Sequence, residues 1–345
     1  MAIIHDMMPA FELYQPSDLD GAVQLLDRHG DDAWALAGGL DTMDWFKDRV
    51  KRPKVVVDLN GIPELQGVRE GADGGLEIGA LTSLSEVVSS PQVREKFPML
   101  AEAAATVATP QIRNQGTLGG NLCQDTRCWY YRGGWPCYRA GGNICYADTP
   151  SSMNREHCIF GASRCVAVSP SDTATALLAL DASMVITGPR GERVVPAEEF
   201  FLGPGIDITR MTVLQPNEVL VAVRIPATFA GARTYFEKAR DRQSWDFALA
   251  SVASAFRMNG DTIAEARVAL GAVAPTPIRA KKAEAALRGQ RISSQVADAA
   301  GNAAVEGARP LRHNGYKVPL MRNLVRRAVR GGPLAGEGQD AAAGG

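Results

Sequence analysis

All six cysteines of this 345-residue chain fall between residues 123 and 165, at Cys123, Cys128, Cys137, Cys145, Cys158 and Cys165. The other 302 residues hold none. A crowd that tight has three ordinary causes: a disulfide framework, a zinc site or an iron–sulfur cluster. Disulfide frameworks staple small secreted domains. This chain is larger, and its start, MAIIHDMMPAFELYQP, lacks a basic segment leading into a long apolar stretch. Structural zinc usually shows two tight C-x₂₋₄-C pairs, whereas the steps here are 5, 9, 8, 13 and 7 residues, with no C-x₂-C. Four thiolates around an iron–sulfur cluster tolerate irregular spacing. Metal is favoured over disulfides, and spacing leaves iron–sulfur and zinc both open.

The charge balance narrows the function classes. With 37 Lys+Arg against 38 Asp+Glu the net charge is −1, which gives no basic footprint for nucleic acid. No apolar run approaches the ~20 residues that span a bilayer, so membrane insertion is not expected. The missing leader implies a cytoplasmic chain, or one exported folded beside a partner that carries the signal. At roughly 150 residues per domain the length fits two or three domains.

Residues 18–29 (DLDGAVQLLDRH) carry an apolar stripe at helical spacing, with Ser17 or Asp18 as N-cap. WALAGG reads as a buried strand entering a glycine turn, and VVVDL at 55–59 as a second strand. This β–α alternation suggests a small parallel unit in the first 60 residues. LEIGAL at 76–81 is a third strand, SLSEVVSS a helix, and 97–108 an Ala-rich helix stopped near Pro110. The cysteine segment, rich in Gly, Pro, Tyr and Trp, reads as a loop insertion at about 122–166, ordered by what the cysteines bind. A helix (DTATALLALDA) and strands (SMVITG, VLVAVRIP) follow, then a boundary near 227–232. Beyond it come strands at 249–257 and 266–273 and helices at 279–288 and 294–307, and the tail GGPLAGEGQDAAAGG reads as disordered. There is no internal repeat.

Two glycine-rich stretches stand at element ends. One is Ala37-Gly38-Gly39-Leu40-Asp41-Thr42, after a strand; the other is Asn114-Gln115-Gly116-Thr117-Leu118-Gly119-Gly120-Asn121, before the first cysteine. Such glycines let backbone N–H groups approach a pyrophosphate closely. Neither matches G-x-G-x-x-G or the Walker A pattern, and each alone is more often a plain tight turn, although the pair is better evidence.

In order along the chain stand AGGLD, TPQIRNQGTLGGNL, SPSDTA, EVLVAVRIP and KARDRQSWDFA. This series resembles the FAD-binding medium subunit of the molybdenum hydroxylases, the xanthine dehydrogenase and carbon monoxide dehydrogenase family, over about residues 8–333. The NLCQDTRC insertion resembles the branch whose flavoprotein carries an extra [4Fe-4S] cluster, as in 4-hydroxybenzoyl-CoA reductase and the periplasmic-type aldehyde oxidoreductases. Xanthine dehydrogenase itself lacks it. The resemblance implies an α+β fold. FAD subdomains would cover 1–60 and 61–227, the second holding the iron–sulfur loop, followed by a C-terminal domain at 228–333 with a small antiparallel sheet and helices, and a tail at 334–345.

It also implies roles. Leu36, Ala37, Gly38, Gly39, Leu40, Asp41 and Thr42 would wrap the FAD pyrophosphate through backbone amides. Val107, Asn114, Thr117, Gly119, Gly120 and Asn121 would form a second wall. Asp172 would accept from a sugar hydroxyl or the adenosine side, and Lys238 would stand near the flavin ring and stabilise its reduced anion. Read without the family, Asp172 is better taken as a cap of the helix 173–181 and Lys238 as a solvated surface charge. The family pattern picks Cys128, Cys137, Cys145 and Cys165 as cluster ligands. Cys158 lies close enough in sequence to replace Cys165, and Cys123 reads as a packing thiol. Trp129, Tyr130, Tyr131 and Trp135 would shield the cluster, and His157 reads as a surface or packing residue.

The implied protein is an electron-transfer subunit with no catalytic residue of its own. Its partners would be a large molybdenum-cofactor subunit, a small subunit with two [2Fe-2S] clusters, and an external electron acceptor or donor. The substrate class would be aldehydes or aromatic N-heterocycles. A 4-hydroxybenzoyl-CoA reductase-type enzyme running electrons inward and a zinc-stabilised binding module are the alternatives.

Overall fold

The computed structural model describes residues 8–332. The 334–345 tail and the first seven residues of the start lie outside the described residues. Strands β1 (Glu12–Tyr14), β2 (Ala33–Leu36) and β3 (Val55–Asp58) form a parallel sheet in the order β1-β3-β2. The β-branched run of β3 takes the centre, where both faces are covered. The helix Leu19–His29 starts where Asp18 accepts from the Gly21 amide at 2.8 Å, and it lays Ala22, Val23 and Leu26 against Val55 and Val57. This is the small parallel unit the sequence predicts.

Strands β4 (Val68–Glu70), β5 (Leu76–Gly79), β6 (Ser183–Gly188), β7 (Gly191–Pro196) and β8 (Val219–Ile225) build an antiparallel sheet ordered β4-β5-β8-β6-β7. Helices Leu84–Ser89, Pro98–Ala105 and Asp172–Ala179 share its apolar core. The helix expected over 97–108 ends at Ala105, and Pro110, expected as a stop, opens the helix Pro110–Gln115 instead. At the first helical position proline gives up no helix hydrogen bond, and Thr109 Oγ1 caps that turn by accepting from Ile112 N at 3.3 Å.

Strands β9 (Arg233–Ala239), β10 (Ala250–Asn259), β11 (Thr262–Gly271) and β12 (Ile278–Arg279) form an antiparallel sheet ordered β12-β11-β10-β9. Helices Lys281–Leu287, Ser294–Ala304 and Lys317–Arg330 pack on it around Val252, Phe256, Val268 and Leu324. Strands β1, β4, β7, β9 and β12 and the helix Lys317–Arg330 are not among the expected elements. The cysteine segment is more regular than a loop: it holds the helix Trp129–Arg132 and 3₁₀ turns at Tyr138–Ala140 and Tyr146–Asp148. No helix among the described residues is long and apolar enough to cross a membrane.

Candidate cofactor site

Where the parallel unit, the five-stranded sheet and the C-terminal domain meet, they enclose a cavity of about 460 Å³, within the usual range for small-molecule and cofactor sites. Thirteen of the fifteen residues predicted for the flavin line it: Ala37 to Thr42, Val107, Thr117, Gly119, Gly120, Asn121, Asp172 and Lys238. Leu36 and Asn114 do not. Leu36 packs beside Trp45 and Phe46, and Asn114 accepts from Ser85 Oγ at 2.6 Å on the surface. The walls also hold Arg127, Trp245 and Phe247, with the Arg127 guanidinium 4.6 Å from the Phe247 ring centre. The last two stand in the RQSWDF stretch, which carried the family resemblance without a role attached.

The two glycine-rich stretches touch. A Cβ on Gly38 would lie 2.1 Å from the Gln115 carbonyl oxygen, and one on Gly119 would lie 2.8 Å from Ala80 Cβ. Gly39 has φ +76°, a conformation open to glycine. Their amides differ in what they are free to do. Leu118 N and Gly119 N donate to Thr82 O and Ala80 O, and Gly120 N donates to Thr117 Oγ1. The N–H groups of Gly38, Gly39, Leu40 and Asp41 meet no acceptor among the described residues. Four adjacent unspent donors beside a cavity suit a phosphate.

Asp172 and Lys238 face the same space. Lys238 Nζ donates to Asp172 Oδ2 at 2.6 Å and to Thr106 O at 3.1 Å, with the side chains 1% and 5% exposed. Burial raises the Asp172 pKa, and Lys238 works against that rise. Lys238 is therefore a buried, paired cation rather than a solvated charge. Asp172 does not cap its helix; Ser171 does, accepting from Ala174 N at 3.1 Å.

A second, small cavity is lined by Cys128, Cys137, Cys145 and Cys165 together with Tyr130, Tyr131, Arg139 and Tyr146. Cys158 is not on its wall; it is buried next to Ala147 and Val166. Cys123 packs on the main core and reaches the large cavity. All six thiols are free. Burial pushes the Cys128 thiol up to about 11 and those of Cys123 and Cys158 up to about 12. No three His, Cys, Asp or Glu side chains among the described residues are close enough to hold one metal ion.

The expected aromatic shield is differently composed. Trp129 is 68% and Trp135 48% exposed, while Tyr146, stacked on Tyr130 at 6.1 Å, takes a place on the cavity wall. His157 is buried rather than superficial, with Nε2 3.4 Å from Cys128 Sγ. Burial, then the charge of Lys317, lowers its pKa to about 4.

Asp41 joins the two regions. Its carboxylate pairs with Arg132 and, at 3.1 Å, with Arg127, and accepts from the Asp125 amide at 2.9 Å. Arg132 lies over the Trp45 ring at 3.9 Å, and Arg139 pairs with Asp125 at 2.7 Å. One carboxylate thus bridges the unspent amides and the cysteine segment.

Comparison with known proteins agrees with this geometry. Residues 9–228 match the family described as the FAD binding domain in molybdopterin dehydrogenase, and residues 234–331 match the CO dehydrogenase flavoprotein C-terminal domain. The chain belongs to the FAD-binding medium-subunit family of the molybdenum hydroxylases. Family members similar to it include the carbon monoxide dehydrogenase medium chain of Hydrogenophaga pseudoflava, 35% identical over 93% of this chain and 96% of that one. The aldehyde oxidoreductase FAD-binding subunit PaoB of Escherichia coli (strain K12) is 36% identical over 84% and 88%. The solved carbon monoxide dehydrogenase from Hydrogenophaga pseudoflava superposes with a TM-score of 0.74 at 34% identity, covering 94% of this chain and 97% of that one. Membership makes the α+β fold that of an FAD-binding domain followed by a C-terminal domain with an antiparallel sheet and helices, and its relatives are oxidoreductase subunits.

Proposed function

We propose that this medium subunit relays electrons between an FAD in the large cavity and a [4Fe-4S] cluster held by Cys128, Cys137, Cys145 and Cys165. The observation that carries the reading is that these four cysteines, and neither of the other two, ring one cavity beside the flavin cavity. In a four-iron cluster each thiolate binds its own iron, so the sulfurs surround a volume. In a zinc site they converge on a point about 2.3 Å from each. Four thiols lining one volume fit the cluster's shape.

FAD, when bound, supplies one- and two-electron chemistry. The Gly38 to Asp41 amides would take its pyrophosphate, and Gly119 and Gly120 would leave room for it. Lys238, with two of its three N–H bonds directed to Asp172 and Thr106, would hold positive charge toward the flavin as it gains electrons. The residues 9–228 and 234–331 matched by the two families support a division into flavin domain and C-terminal domain near residue 228. Likeness to carbon monoxide dehydrogenase medium chains supports assembly with a large molybdenum-cofactor subunit and a small [2Fe-2S] subunit. The similarity to PaoB favours an aldehyde as substrate class.

The test is rapid anaerobic reduction of the assembled complex, with Cys128→Ser for comparison. A Cys128→Ser complex that keeps its flavin but loses the four-iron signal and passes electrons between that flavin and an external carrier more slowly supports the relay. Transfer at an unchanged rate after cluster loss refutes it.

A further inference from the structure

The flavin cavity and the cysteine cavity are separated by a third, of about 80 Å³. It shares Arg127, Pro170, Asp246 and Phe247 with the flavin cavity and Thr126, Cys128 and Ala167 with the cysteine cavity. Cys128 alone among the four proposed ligands lines it. It is the cysteine through which the cluster site looks toward the flavin.

His157 lines this same intervening cavity, with Nε2 3.4 Å from Cys128 Sγ. Its Nδ1 is buried without a hydrogen-bond partner among the described residues. A thiolate only accepts, so beside a ligating Cys128 the proton of a neutral imidazole belongs on Nε2. The ring then donates N–H···S, and Nδ1 is left as an unpaired acceptor rather than a buried, unpaired donor.

The ring is held from the C-terminal domain. Asn314 Nδ2 donates to the carbonyls of His157 and Cys158, both at 3.0 Å, and Lys317 Nζ donates to Glu156 O at 2.8 Å. Asn314 and Lys317 are fully buried. Two side chains thus fix three consecutive backbone carbonyls, and with them the backbone that carries the imidazole.

We propose that His157 is a positioning residue that donates to the Cys128 thiolate on the flavin-facing side and raises the reduction potential of the cluster. The inference rests on the cluster reading above. A donor to a ligating sulfur favours the state with more negative charge on that sulfur, which is the reduced cluster.

The test is an EPR-monitored redox titration of the purified complex carrying wild-type chain, His157→Phe or His157→Gln, each first assayed for iron and sulfide. Phenylalanine keeps a ring without a donor; glutamine keeps an N–H. With four irons retained, His157→Phe is expected to lower the potential by roughly a tenfold change in the reduction equilibrium, which is 59 mV for one electron. His157→Gln is expected to stay close to wild type. A four-iron His157→Phe cluster at the wild-type potential overturns the proposal. Should His157→Phe fail to load iron, nitrogen hyperfine coupling in wild-type chain labelled with ¹⁵N-histidine decides: coupling to the reduced cluster supports the hydrogen bond, and its absence overturns it. Wild-type chain without iron refutes the cluster reading itself, a result distinct from either.

Discussion

Gly38 has no room for a side chain, because a Cβ there would stand 2.1 Å from the Gln115 carbonyl oxygen. Gly38→Ala must push the two glycine-rich stretches apart just where the unspent amides face the cavity. It is expected to weaken FAD binding by at least about tenfold with the fold retained, as read by flavin fluorescence titration and far-UV circular dichroism. The Asp172–Lys238 pair is the other residue-scale case. Lys238→Met leaves a carboxylate buried without its partner and is expected to cost about 3–5 kcal/mol. The double variant Lys238→Met/Asp172→Leu should recover most of that in denaturant unfolding; a double variant no more stable than the single would contradict the pairing. Neither role was legible from the residues themselves, since a glycine after a strand is commonly a turn and an isolated lysine commonly solvated. The ordered motifs pointed to these residues only through the family resemblance, and neither the close approach of Gly38 nor the Asp172–Lys238 pair was among the expectations. Arg127 and Trp245 were missed for a physical reason: their place on the wall depends on how the cysteine segment and the β9–β10 connection pack, which local pattern does not encode.

Between elements, Asp41 is the tie. It ends the loop after β2, yet its carboxylate is shared by Arg127 and Arg132 of the cysteine segment. Asp41→Asn keeps the shape and removes the charge. It is expected to lower stability by about 1–3 kcal/mol and to loosen both cofactors together, read as parallel loss of flavin and iron on gel filtration. Loss of one alone would show that the two sites are held independently. The elements that were readable are those whose periodicity and caps agree, as in the helix Leu19–His29 with Asp18 and the helix Leu84–Ser89 with its Ser83–Glu86 capping box. Strand β9 was not, since RTYFEKA has no regular alternation of buried and exposed positions. The helix Lys317–Arg330 was not read either: its sequence KVPLMRNLVRRAVR carries Pro319 and four arginines around a stripe of Met321, Leu324, Val325, Ala328 and Val329.

At the scale of the whole molecule, the C-terminal domain locks onto the cysteine segment through Lys317, whose ammonium reaches Glu156 O and Ala272 O, both at 2.8 Å. Burial lowers its pKa from 10.5 to about 7. Between those values the unfolded chain binds more protons than the folded one, so this group's contribution to stability grows as pH rises from 7 to 10.5 and is lost as pH falls back to 7. Relative to Lys317→Met, the wild-type chain is expected to gain about 1 kcal/mol per pH unit across that window, measured by urea unfolding at several pH values. A difference that stays flat with pH would contradict a shifted lysine.

The proposed relay requires one chain to hold a flavin and a four-iron cluster in neighbouring cavities. An absorption spectrum with FAD, iron and acid-labile sulfide analysis on anaerobically purified complex, wild type beside Cys128→Ser, tests that most directly. One FAD per chain, about four irons assigned to this subunit, and their loss in Cys128→Ser with flavin retained is the predicted result. Zinc in place of iron, or iron unchanged in Cys128→Ser, would contradict it.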